Sequence, residues 1–230
     1  MTCEKVNELR NISYSFGDNF YYQNLFNSNK ENFACEILID FKSYKREYCD
    51  FYEVIRSGKV IYSIFDILKN SLEKFPKKIF INVERHNLCD FNIRNCLFDM
   101  HKFLENNGHI LVVEITERNE CMGCGAVEAE MRKMTEWGII FAIDDVVGID
   151  DPRLITKEVD CYTYAKVEAP SLSSRMSLDK FIKQVEICKQ KGLEIIVEKV
   201  ETYQQLNLLK SLNLTYFQGY YFHRGSIIPS

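Results

Sequence analysis

The sequence has little that would divide it, anchor it or charge it strongly. Its 230 residues include only four prolines and ten glycines, scattered along the chain, and no Pro/Gly/Ser-rich linker, low-complexity tract or like-charge block interrupts them. One domain is therefore expected, large enough to bury a full core. Excess basic charge is missing too. A net charge of −4 and a pI near 5.7 supply no field to hold a long nucleic acid by counterion release. Uninterrupted apolar runs stop at about six residues, far short of the roughly 20 needed to span a bilayer, and Met-Thr-Cys-Glu-Lys at the start does not form a signal peptide. A soluble, cytoplasmic protein with no membrane partner is expected.

Several chemistries are also without residues to carry them. The chain has no Walker loop, no G-x-G-x-x-G, no G-x-S-x-G and no H-E-x-x-H. None of its four histidines (His86, His101, His109, His223) is followed by aspartate, which removes a His-Asp metal phosphodiesterase. Nine cysteines are an odd number, and Cys35, Cys89 and Cys96 sit among apolar neighbours as small core residues do, which suits a reducing compartment. Cys121 and Cys124 form one close pair. Zinc would want a second pair or histidines at ligand spacing, so the two read as loop thiols.

What is present is a series of short apolar runs, each followed by a polar residue. Ile79-Phe80-Ile81 leads to Asn82, Ile110 to Val113 to Glu114, and Ile139 to Ile143 to Asp144-Asp145. Tyr162 to Ala165 leads to Lys166, Ile195-Ile196-Val197 to Glu198, and Tyr216-Phe217 to Gln218. The intervals between these polar residues run from 20 to 32 residues, and most hold a stretch with apolar positions three or four apart, so the order is strand, helix, strand, helix. Helices are expected near Val60 to Glu73, Asn92 to Asn106, Ala126 to Trp137, Ser177 to Gln190 and Thr202 to Leu212, several of them stopped by glycine. Thr202 and Gln205 stand at capping-box spacing. Phe20 to Phe26 and Phe33 to Phe41 read as two strands around the polar turn Asn27-Ser28-Asn29-Lys30, a hairpin that would set one strand antiparallel. The fold class is an α/β, TIM-like (β/α)8 barrel with one antiparallel strand.

Polar residues at the carboxyl ends of parallel strands stand where such folds place their chemistry. Any one of these acids alone reads as a helix cap or a solvated loop residue. Together, Glu36, Asn82, Glu114, Asp144, Asp145 and Glu198 would converge on one mouth, with no histidine or thiolate among them. Oxygen-only ligation suits Mg²⁺ or Mn²⁺, and the mutual repulsion of so many carboxylates argues for one or two divalent ions. Lys166 would be the positive side chain of this cluster, suited to holding a water or balancing phosphate charge.

These residues resemble the EAL-domain family of cyclic di-GMP phosphodiesterases, of which the chain looks like a stand-alone and partly degenerate member, with an N-terminal extension over 1–18 and the EAL domain over 19–230. Tyr22-Gln23 resembles the family's Tyr-Gln-Pro, with Asn24 for proline. Glu36-Ile37-Leu38 resembles Glu-Ala-Leu, and Phe41 follows as the usual aromatic. Ile81-Asn82-Val83 resembles the asparagine motif, and Glu114-Ile115-Thr116-Glu117 matches Glu-Ile-Thr-Glu in full. Asp144-Asp145 matches the aspartate pair, Lys166-Val167-Glu168 resembles Lys-Ile-Asp, Glu198-Lys199-Val200-Glu201-Thr202 resembles Glu-Gly-Val-Glu-Thr, and Gln218-Gly219-Tyr220 matches Gln-Gly-Tyr. The resemblance implies a first metal on Glu36, Asn82, Glu114 and Asp144, and a second on or beside Asp144, Asp145 and Glu198. Both ions would be Mg²⁺ or Mn²⁺. It further implies Lys166, Glu198 and Glu36 as catalytic residues, Gln23, Leu38 and Gln218 as substrate contacts, and Glu117 and Glu201 as loop supports.

The chain departs from the family pattern at definite places. Asp40 stands at the substrate-binding arginine, which sets a carboxylate against a dianionic ligand. Val146-Val147-Gly148-Ile149-Asp150-Asp151 replaces Phe-Gly-Thr-Gly-Tyr-Ser, Lys199 replaces a glycine, and Glu168 replaces an aspartate. Two functions follow from the resemblance: hydrolysis of cyclic di-GMP to linear pGpG by two metals, or an inactive relative acting as a cyclic di-GMP receptor or as a regulator of a transcription factor or other protein. A homodimer is compatible with either.

Overall fold

The structure of the protein, a computed structural model, describes residues 20–39, 58–116, 118 and 125–228. The N-terminal extension over 1–18, Asp40, Phe41, Glu117 and the Cys121/Cys124 pair lie outside the described residues. Among the described residues, nine strands form one sheet: β1 Phe20–Asn27, β2 Asn32–Ile39, β3 Lys78–Val83, β4 Ile110–Ile115, β5 Ile140–Ile143, β6 Tyr162–Glu168, β7 Glu194–Glu198, β8 Tyr216–Gln218 and β9 Ser226–Ile227. Strands β2 to β8 pair in parallel in sequence order, and β1 closes the barrel by pairing antiparallel with both β2 and β8. The expected barrel with one reversed strand is therefore formed, and β9 adds a two-residue antiparallel pairing to the outer part of β1 that the sequence pattern does not show.

The helices are α1 Lys59–Ser71, α2 Phe91–Asn106, α3 Gly125–Glu136, α4 Pro152–Ile155, α5 Arg175–Gln190 and α6 Tyr203–Ser211. Local chemistry sets their ends. Asp90 caps α2 by accepting from the Asn92 N–H, Ser174 caps α5 by accepting from the Ser177 N–H, and Thr202 and Gln205 complete the anticipated capping box on α6. Helix α5 ends before Gly192, whose φ of 79° continues the chain in a left-handed conformation that favours glycine.

Alternation along the strands divides the buried residues into two sets. Ile37, Ile79, Ile81, Leu111, Val113, Phe141, Ile143, Ala165, Val167, Ile195, Val197 and Phe217 belong to the larger core that includes the helices' apolar stripes. Leu25, Ala34, Phe80, Val112, Ala142, Tyr164 and Ile196 form a separate cluster inside the barrel, flanked by Phe33, Ile140 and Tyr216. Two residues further along each parallel strand, on the same inward face, stand Glu36, Asn82, Glu114, Asp144, Lys166, Glu198 and Gln218. Strand β1 runs the other way, so Gln23 stands two residues before Leu25. One apolar layer thus supports one polar layer. The polar residues do not all end their strands: β2 runs on to Ile39, β3 to Val83, β4 to Ile115 and β6 to Glu168. Inward direction, set by the two-residue pleat, is what they share.

Candidate active site

The polar layer opens into a cavity of about 530 Å³, lined among others by Gln23, Glu36, Leu38, Asn82, Asp144, Asp145, Glu198, Glu201 and Gln218. At its floor the Lys166 ammonium is 2.9 Å from Glu36 Oε2, 2.8 Å from Glu114 Oε1, 2.7 Å from Glu198 Oε1 and 3.5 Å from Asp144 Oδ1. Lys166 is 0% exposed. Glu36 also accepts from the Asn82 amide at 2.6 Å and the Gln218 amide at 2.7 Å, and the Gln218 amide reaches Gln23 Oε1 at 3.0 Å. Seven of the eight residues expected from the polar layer are thus joined through Glu36 and Lys166, with Gln23 attached through Gln218.

Four carboxylates face one ammonium here, and their acidities follow from that imbalance. Burial pushes Glu114 well above the usual carboxylate range, reinforced by the negative charge of Glu36 and only partly opposed by Lys166. Burial also raises Glu198, to about 8. Glu36 ends below its ordinary value, because Lys166 and the Gln218 hydrogen bond outweigh the effect of its burial. Burial alone would drive the proton off Lys166, but Glu114, Glu198, Glu36 and Asp144 together hold it on.

Among the described residues, no three acidic, histidine or cysteine side chains stand ready in a metal-binding arrangement, since the Lys166 ammonium sits where the carboxylates converge. The donors nevertheless suit a hard divalent cation. All are oxygens, the cluster is short of positive charge, and Asn82 Oδ1 and Glu114 Oε2 are buried without a hydrogen-bond partner.

The remaining expected residues stand higher in the mouth. The Asp145 side chain is 43% exposed and 3.9 Å from the Lys199 ammonium. Leu38 and Glu201 line the cavity, and the Glu201 backbone N–H donates to Gln205 Oε1 at 2.9 Å. At Gly219, an added Cβ would lie 2.3 Å from both the N and the O of Val200, so that turn requires glycine.

One supporting device was missed in the sequence. Arg153, 2% exposed, donates to both carboxylate oxygens of Asp151, at 3.0 and 2.7 Å, and to the carbonyls of Ile115, Asp144 and Asp145 at 2.8, 2.7 and 3.1 Å. Gln184 holds the carbonyl of Val146 at 2.6 Å. The segment without the Gly-Thr-Gly pattern is therefore tied down by a buried guanidinium, which also fixes the backbone under the aspartate pair. An Asp-Pro-Arg sequence at a short helix start gives no hint of this, because three of the five acceptors are main-chain carbonyls. Arg153→Leu is expected to lower stability by about 3 kcal/mol by leaving Asp151 buried and unpaired. Urea unfolding checks this, and an unchanged midpoint would contradict it. A second support, Glu84, accepts from Thr116 Oγ1 at 2.9 Å and pairs with Arg118 at 2.8 Å beside the cavity.

The profile of the EAL domain matches residues 17–224 of this chain. The chain belongs to the EAL domain family. Enzymes of this family are metal-dependent cyclic di-GMP phosphodiesterases. Among solved structures, the EAL chain is similar to the PaMucR phosphodiesterase in complex with c-di-GMP, at a TM-score of 0.72 and 15% identity over 92% of this chain and 97% of that one. It is also similar to the EAL enzyme Bd1971 with cAMP and cyclic di-GMP bound, at a TM-score of 0.67 and 17% identity over 98% of this chain and 66% of that one. A third is Klebsiella pneumoniae BlrP1 in a calcium and cyclic di-GMP complex, at a TM-score of 0.68 and 18% identity over 95% of this chain and 59% of that one. These likenesses show the fold. No curated protein matches the sequence. No described helix of the EAL chain is long and apolar enough to cross a membrane.

Proposed function

We propose that this EAL protein hydrolyses cyclic di-GMP to linear pGpG with the help of Mg²⁺ or Mn²⁺. The observation that carries the reading is the inward layer of oxygen donors around Lys166 at the carboxyl mouth of the barrel, under a cavity open to solvent. Glu36, Asn82, Glu114 and Asp144 would hold a divalent ion, with Asp145 and Glu198 as further oxygen donors above them. When bound there, the ion supplies a water of lowered pKa and takes up charge on the phosphate oxygens.

The chain's own groups prepare this chemistry. Asn82, Gln218 and Lys166 hold both oxygens of Glu36 in one orientation, so that ligand is placed before anything binds. Lys166 keeps a fixed positive charge at the floor of the mouth, where it can orient a nucleophilic water and offset charge developing on phosphate. Glu198, 2.7 Å from the Lys166 ammonium, is the carboxylate placed to accept the proton that water gives up. Gln23, Leu38 and Gln218 present amides and an apolar wall to the substrate.

The test is chromatography of cyclic di-GMP after incubation with the purified protein and Mg²⁺ or Mn²⁺, with and without EDTA. Ion-dependent appearance of pGpG is expected. Cyclic di-GMP that stays intact would overturn the hydrolytic reading, and its retention by the protein would then mark a receptor.

A further inference from the structure

Two non-glycine residues face each other across the rim of the cavity in left-handed backbone conformations, Asp145 with φ of 44° and Lys199 with φ of 55°. Side chains adopt this region rarely. The turn after β7 brings the Lys199 ammonium to 3.1 Å from Glu168 Oε2 and 3.9 Å from Asp145 Oδ1. Glu168 lies beside Glu198 in the β6–β7 pairing, so this ammonium serves the acidic groups on the Asp145 side of the mouth as Lys166 serves those on the floor. Lys199 and Asp145 also both line a second cavity of about 1010 Å³, and together they stand on the boundary between it and the carboxylate cavity. The two residues that depart from the family motifs here, Lys199 and Glu168, contact each other.

We infer that Lys199 is the second cation of this site, standing in place of a second divalent ion, so that the protein binds one ion per chain. The inference rests on the proposed metal-dependent function. An ion ligated by Asp145 Oδ1 at about 2.1 Å would lie within about 6 Å of the Lys199 ammonium that the same oxygen already faces at 3.9 Å, and the two positive charges would repel. An exposed ion pair of this kind contributes little to stability, so what Lys199 changes is the charge at the rim, where both it and Asp145 hold a left-handed backbone. The first ion's acidic donors, Glu36, Glu114 and Asp144, pair instead with Lys166 below.

Calorimetric titration of the full chain with Mn²⁺, in the absence of nucleotide, tests the inference. Wild type is expected to bind one Mn²⁺ per chain. Lys199→Gly, whose glycine accepts the observed φ without strain, and Lys199→Met, which keeps the bulk and drops the charge, are each expected to bind two. Thermal unfolding of both variants at or above the wild-type midpoint would show that the fold is kept. Two ions on wild type, or one ion on both variants, would overturn the inference and leave the metal-dependent reading standing. No Mn²⁺ binding by any of the three would overturn that reading and the inference with it.

Discussion

Glu36→Ala is expected to abolish formation of pGpG, lowering kcat by at least about 10³-fold, the scale seen when a preorganised electrostatic group is removed from an active site. Glu36 is the residue through which the layer is assembled. Its two oxygens accept from Asn82, Gln218 and Lys166 at 2.6, 2.7 and 2.9 Å, so alanine removes a proposed ion ligand and releases the three donors that shape the floor. The fold should tolerate the change far better than catalysis does. Lost hydrogen bonds cost about 1–3 kcal/mol for each donor left buried and unpaired, but the charge of Glu36 also raises the pKa of Glu114, and its removal relieves that repulsion. Chromatography for pGpG beside a thermal melt separates the two effects. Retained turnover in a folded variant would mean that the ion-binding layer has been misassigned.

Lys166→Met should be the most destabilising single change in the site. Methionine is an unbranched side chain one atom shorter than lysine and supplies no charge, so the carboxyl groups of Glu36, Glu114, Asp144 and Glu198 would face one another at a floor where Glu114 is fully buried. Removing one partner of a buried ion pair costs about 3–5 kcal/mol, and this lysine serves four partners. Added Mn²⁺ should restore part of the loss by supplying positive charge to the same oxygens, which urea unfolding with and without the ion would reveal. Acid should help as well. Glu114 and Glu198 have folded-state pKa values above the unfolded value of about 4.3, so the folded state binds more protons than the unfolded one. The stability of the variant should therefore fall as pH rises from about 4.3 through the raised values. Equal stability of variant and wild type in EDTA would show that the ammonium is not what holds the carboxylates together.

The barrel and most of its polar layer were legible in the sequence because both depend on short-range pattern. A β-branched run such as Ile79-Phe80-Ile81, followed by a helical period and a glycine, specifies strand and helix with no knowledge of neighbours. The same pleat that turns Phe80, Val112, Ala142, Tyr164 and Ile196 into the barrel carries the residue two places on to the same side, so Asn82, Glu114, Asp144, Lys166 and Glu198 could be read as one set. Gln23 was legible only through the Tyr22-Gln23 motif, and its place opposite Glu36 on the antiparallel β1 came from the structure.

Other features depend on contacts between residues far apart in sequence, and these were not legible. The grip of Arg153 on the backbone of Ile115, Asp144 and Asp145 leaves no trace in residue type, because a main-chain carbonyl looks the same whichever side chain it carries. The meeting of Lys199 with Glu168 and Asp145 was likewise visible only as separate departures from motif, since nothing in either segment says that two strand ends will place them about 3 to 4 Å apart.

The sequence by itself therefore determined the strand and helix order and the oxygen-rich character of the mouth, because periodicity and residue chemistry are local properties. Only the tertiary structure decided that Lys166 stands at the centre of four carboxylates, that a buried arginine secures the aspartate loop, and that Lys199 closes the rim. Those outcomes depend on the closure of the barrel, which brings five charged side chains and three amides together from around the barrel and so sets energies that no single segment contains.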